Sequence, residues 1–152
     1  MKRRFFIVII CSLLAFLFVY TGLNKMLDYS EFRFQLGRSP FIQPIAGLVA
    51  ATLPAFELLV ALALIFSATR LWGLYASFFL MLLFTGYIWT MLKYSYYVPC
   101  SCGGVLAALD WNDHLIFNGA FTLLSLVGII LQVQTNLYAS ESISNGKTNM
   151  AI

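Results

Sequence analysis

Charge is scarce in this chain. Only 10% of its 152 residues are Asp, Glu, Lys or Arg, while 61% are hydrophobic. A soluble domain carries about 25% charge, so a water-facing surface cannot be assembled here and a soluble globular class is excluded. Histidine occurs once and cysteine three times, with no second cysteine pair, so a closed four-ligand zinc site is not expected. The net charge of +3 is scattered apart from Lys2, Arg3 and Arg4. There is no basic stripe of the kind that nucleic acid requires. Sustained polar–apolar alternation is missing too, which argues against a transmembrane β-barrel. Internal repeats and low-complexity segments are absent.

What is present is four continuous apolar runs, at residues 5–23, 45–66, 71–92 and 114–133. Each approaches the roughly 20 residues that cross a hydrocarbon core as a helix. The expected fold is all-α, a polytopic membrane protein built as a four-helix transmembrane bundle over residues 1–133, followed by a polar tail over 134–152. The start of the chain, a basic triplet and then an apolar stretch, fits the opening of a signal peptide. The run is nevertheless as long as a full span and no small-x-small site closes it, so a retained first helix is expected. Lys2, Arg3 and Arg4 favour the cytoplasmic side. Four spans then return the tail to that side and send loops 24–44 and 93–113 outward. The expected location is a bacterial-type cytoplasmic (inner) membrane, with the lipid bilayer as the first partner. Tyr20, Tyr29, Tyr87, Trp89, Tyr94, Tyr96, Tyr97 and Trp111 crowd the proposed outer boundary, and Trp72 and Tyr75 mark the inner one, as amphipathic rings do. Within the first outer loop, residues 28–37 mix Tyr29, Phe32, Phe34 and Leu36 with charges. That pattern suits a short helix on the membrane surface, or an ordinary connector. Small residues at Gly73, Ala76, Gly119, Ala120 and Gly128 suit close helix packing.

Two of the three cysteines stand one residue apart in the second outer loop, in Pro99-Cys100-Ser101-Cys102-Gly103-Gly104. An outward loop meets an oxidising compartment, where disulfides persist. A Cys-x-Cys ring closes only if the backbone bends enough to bring the Cα atoms within reach. Gly103 and Gly104 permit such bending, and Pro99 keeps the approach extended. Bonds of this strained kind are the reducible ones, and a ring so small would constrain little of the unfolded chain. The spacing therefore suits a reversible dithiol better than a structural staple. Two alternatives stay open: soft thiolates holding copper(I) with His114 as a third ligand, or two unreactive thiols. Cys11, in mid-span, reads as an inert buried thiol.

Two further side chains are chemical candidates. Glu57 lies inside the second span, three residues after Pro54. A carboxylate in hydrocarbon is costly unless paired, protonated or wet, and Pro54 frees a backbone carbonyl just before it. Glu57 either handles a proton beside a quinone or thiol site, or bonds another helix near Asn24 or Lys25. His114 and Asn118 are four apart and share one helix face. With Asp110 and Asp113 they open the fourth helix, where Asn112 or Asp113 suits the N-cap. His114 either shuttles a proton for the thiols, whose thiolate is the reactive form, or sits at the headgroup boundary without a chemical task.

Taken together, "YTGLNKMLDYSEF", "LPAFELLVALALIF" and "PCSCGG" followed by "WNDHLIFN" resemble the MauE family of methylamine utilisation proteins, within the wider DoxX-like group of four-helix membrane proteins. The resemblance covers residues 5–133. It implies a cytoplasmic-membrane protein that supports maturation of methylamine dehydrogenase, whose light subunit is disulfide-rich. It also implies that Cys100 and Cys102 are a redox pair and that Gly22, Lys25 and Glu57 are pattern positions. At Gly103 the chain departs from members found in methylamine clusters and looks like a branch found outside them. The expected function is disulfide exchange with an exported or thioredoxin-like protein, with electrons passed directly to a quinone or to that partner. The rival expectations are a non-catalytic scaffold that docks a partner and, third, a copper-handling protein.

Overall fold

A computed structural model describes residues 2–39, 41–94 and 111–149, with side chains over 3–39, 41–94 and 112–140. All its regular elements among these residues are helices. Helix α1 is Lys2–Leu27, α2 is Tyr29–Gly37, α3 is Ala46–Ile65, α4 is Arg70–Tyr94 and α5 is Trp111–Asn149. A single 3₁₀ turn at Gln43–Ile45 leads into α3. Four of these helices are long and apolar enough to cross a membrane: Arg3–Leu27, Gln43–Ile65 (the turn and α3), Arg70–Tyr94 and Asn112–Ser140. Backbone groups in hydrocarbon must be satisfied within their own segment, and the helix does this whatever the side chains. The chain is an integral membrane protein of four spans.

The spans pack in a ring. α1 lies against α3, α3 against α4, α4 against α5, and α5 returns to α1, while α1 and α4 barely meet across the centre. Ile7, Leu14 and Phe18 of α1, Leu64 of α3, and Leu74 and Met81 of α4 fill the core. The outer surface is apolar as well. Phe16 is 73% exposed and Trp72 75%, and a patch this large needs lipid to cover it.

Two glycines set how closely the helices approach. A Cβ on Gly73 would come within 2.9 Å of the Leu64 nitrogen, so α4 starts directly on the backbone of α3. A Cβ on Gly22 would stand 3.3 Å from the Pro54 carbonyl oxygen, where α1 crosses α3. Gly128 also faces its neighbours, Leu74 and Ile10, whereas Gly119 faces open space. The expected packing role therefore falls to Gly73 and Gly128 and not to Gly119. The α3–α4 turn is fastened by side chains. Thr69 Oγ1 donates to the Ala63 carbonyl at 2.9 Å, and Arg70 Nε donates to the Leu64 carbonyl at 3.4 Å.

The structure differs from the expected boundaries at α5. The apolar run ends at Val133, but the helix continues unbroken to Asn149. Helix formation needs no apolar side chains, and Thr135 Oγ1 donates to Leu131 while Gln132 bonds Asn136. At 1.5 Å per residue α5 is about 58 Å long, far longer than the roughly 30 Å hydrocarbon layer. Its continuation runs beside the start of α1, with the Arg3 guanidinium 5.2 Å from the Tyr138 ring centre.

α2 is the short helix anticipated in the first loop. Its Phe32 and Leu36 are buried with Ala46 and Ala50 of α3. Ser39, just beyond it, donates to the sulfur of Met91 on α4 at 3.7 Å. α2, the end of α4 and the start of α5 thus share one end of the bundle, opposite the N-terminus.

Candidate functional site

At the α2 end of the bundle a polar cluster is sealed inside. Lys25 sits in the last turn of α1, where a cation is favoured by the helix dipole. Its Nζ donates to Glu57 Oε1 on α3 at 2.7 Å. Lys25 is 5% exposed and Glu57 0%. The close α1–α3 crossing at Gly22 and Pro54 is what brings the two side chains within reach. The ammonium also lies 5.9 Å from the Phe32 ring centre and 5.5 Å from that of Phe84, inside the range of cation–π attraction. Each charge compensates the other, the condition under which an apolar interior tolerates both. Of the two readings of Glu57, the helix-to-helix bond is present, and its partner is the Lys25 named as a candidate.

α5 closes the cluster. His114 (2% exposed) and Asn118 are both buried, on the shared face that their spacing demands. His114 points into the bundle rather than out to the headgroup boundary. Together with Thr21, Lys25 and Glu57 they line a cavity of about 20 Å3, walled by Phe18, Phe84 and Phe117. That is room for one water molecule. Thr21 stands beside the carboxylate, but no hydrogen bond of good geometry reaches Glu57 Oε2 from the described residues. Among the same residues Asn118 Nδ2 also lacks an acceptor. The cavity thus brings an acceptor, a donor, a cation and an imidazole together in a buried setting. Such a group of side chains can hold a polar molecule or pass a proton.

Of the residues singled out from sequence, Glu57 and His114 meet in this cavity. Cys100 and Cys102 lie outside the described residues, as do Pro99, Gly103, Gly104 and Asp110. Asn112 and Asp113 were candidates for the helix N-cap. Both lie inside the first turn of α5, which already includes Trp111. Cys11 is buried in the core, away from this end. Thr21 and the two aromatic walls on Lys25 escaped the sequence reading. Thr21 had one legible signal, its placement four residues before Lys25 on the same face of α1.

A family model described as "Methylamine utilisation protein MauE" matches residues 3–131. Comparison with curated proteins and with solved structures returns no match.

Proposed function

Since the chain belongs to the MauE family of methylamine utilisation membrane proteins, we propose that it is a redox-associated protein that exchanges disulfides with an exported partner through Cys100 and Cys102. The observation that carries this reading is the buried Lys25–Glu57 pair with His114 and Asn118, at the bundle end where α4 closes and α5 opens. Those two helices bracket the Cys100–Cys102 segment in the chain.

In the exchange, one thiolate of the pair attacks a partner disulfide and forms a mixed disulfide. The second cysteine then displaces the partner's thiol. The partner leaves reduced by two electrons, and Cys100–Cys102 is left oxidised; the reverse sequence oxidises the partner. Each cycle has protons to place as thiols become thiolates. His114, in the first turn of α5, lines the same cavity as Glu57. They act as the proton-handling groups. After the first sequence a reduced thioredoxin-like protein returns two electrons to the pair; after the reverse sequence the reduced pair gives its two electrons to a membrane quinone or to an oxidised thioredoxin-like protein. Lys2, Arg3 and Arg4 hold the N-terminus in the cytoplasm, so the cysteine loop faces the periplasm of an inner membrane.

Thiol trapping in intact cells tests this. With a membrane-impermeant, mass-shifting maleimide, Cys100 and Cys102 should label only after reduction. A Cys102→Ser variant should accumulate a mixed disulfide with its partner. Free labelling without reductant, together with unchanged function of the Cys100→Ser/Cys102→Ser chain, would instead establish a scaffold.

A further inference from the structure

α2 joins the end of α1 to the turn that enters α3, both of them membrane spans. It therefore lies at the boundary between hydrocarbon and headgroups. Phe32 and Leu36 fasten one face to α3. The other face borders an open groove of about 500 Å3, lined by Tyr29, Ser30, Arg33, Phe34, Gly37 and Arg38. Two arginines, a tyrosine and a serine are among the residues that border this space. The carboxylates of the same segment, Asp28 and Glu31, do not line it, and Glu31 accepts a bond from Gln35 at 2.8 Å. Arg33 packs over Gly47 of α3, and the Arg38 guanidinium lies 5.5 Å from the Phe34 ring centre. Both cations are thus steered by packing rather than left to wander. Phe34 and Phe41 are more than half exposed beside the groove, where acyl chains begin.

We propose that this groove binds the headgroup of an anionic glycerophospholipid, with Arg33 and Arg38 on the phosphate and Tyr29 and Ser30 on headgroup hydroxyls. Guanidinium matches phosphate in charge and in its paired donor geometry. Basic side chains at a bilayer surface draw anionic lipid in the same way. A zwitterionic lipid also carries a phosphate, but its ammonium would sit against two guanidiniums. A hydroxylated anionic headgroup brings no such repulsion, which selects the anionic class. Gly37 supplies the space, since a Cβ there would meet no atom within 4 Å.

The test uses the full chain in detergent micelles, with lipid retention measured by native mass spectrometry against equal phosphatidylglycerol and phosphatidylcholine. The wild type should retain phosphatidylglycerol preferentially. Arg33→Gln/Arg38→Gln should lower that retention about tenfold or more, as expected for the loss of charge-assisted hydrogen bonds. Phosphatidylcholine retention should not change. Gly37→Glu places a carboxylate in the groove without touching the packed face and should have the same effect, so the test survives if the double variant fails to fold. Equal retention of the two lipids by the wild type overturns the site. So does wild-type retention of phosphatidylglycerol by Gly37→Glu.

Discussion

At the scale of single residues, the Lys25–Glu57 pair dominates, because neither charge can be removed alone without stranding the other. Breaking a buried pair by deleting one partner costs roughly 3–5 kcal/mol, whereas replacing both with apolar residues of similar volume is often neutral. Glu57→Gln alone, and Lys25→Met alone, should therefore lower unfolding stability in micelles by about that amount. The Lys25→Met/Glu57→Leu double variant should recover most of it. A second prediction separates structure from chemistry. If His114 passes protons for the thiols, His114→Phe, which fills the same space, should fold as the wild type but slow reoxidation of Cys100–Cys102 in a stopped-flow thiol assay. An unchanged rate would remove His114 from the mechanism. Glu57 was legible because a carboxylate inside an apolar run stands out, and Lys25 was legible as its partner. The rings of Phe32 and Phe84 around the ammonium were not. Fourteen phenylalanines scattered through apolar runs carry no mark of which two will meet a cation.

Among the helices, close contact depends on where a side chain is missing. Gly73 stands on the backbone of α3, which cannot yield, so Gly73→Ala should destabilise by about 1–3 kcal/mol, the usual cost of overpacking. Gly119 faces open space, and Gly119→Ala should be neutral or slightly stabilising, since alanine is the better helix former. Thermal unfolding of the two variants side by side checks the contrast. Gly22→Leu should push α1 off Pro54 and lengthen the Lys25–Glu57 contact, giving much of the loss seen in Glu57→Gln. The number and approximate position of the spans were readable from apolar runs alone. Their ends were not, because Lys25 and Arg3 look like terminators yet continue α1, and the polar residues after Val133 continue α5. Helical hydrogen bonding does not stop where hydrophobicity does. The identity of the packing glycines was also hidden, since Gly73 and Gly119 have equally small side chains and differ only in what stands opposite.

On the scale of the whole molecule, the ring order of the spans decides which residues share an interior. α1 borders both α3 and α5, and only that order lets Lys25, Glu57 and His114 line one cavity. Nothing in the linear sequence specifies which spans are neighbours and which are diagonal, so the cluster could be listed as candidates but not assembled. The closeness of Arg3 to Tyr138 places the start of α1 and the later part of α5 at the same end of the bundle. Reporters fused before Lys2 and after Asn149 should give matching accessibility to an impermeant reagent, and opposite signals would refute the four-span topology. The turn between α3 and α4 has a consequence for biogenesis. The Ala63 and Leu64 carbonyls, at the close of α3, accept hydrogen bonds from Thr69 and Arg70 at the threshold of α4. α3 leaving the translocon by itself would carry those carbonyls toward lipid unanswered. The two helices are therefore expected to insert as a hairpin, so that the second half of the ring begins before the first has anything to close against.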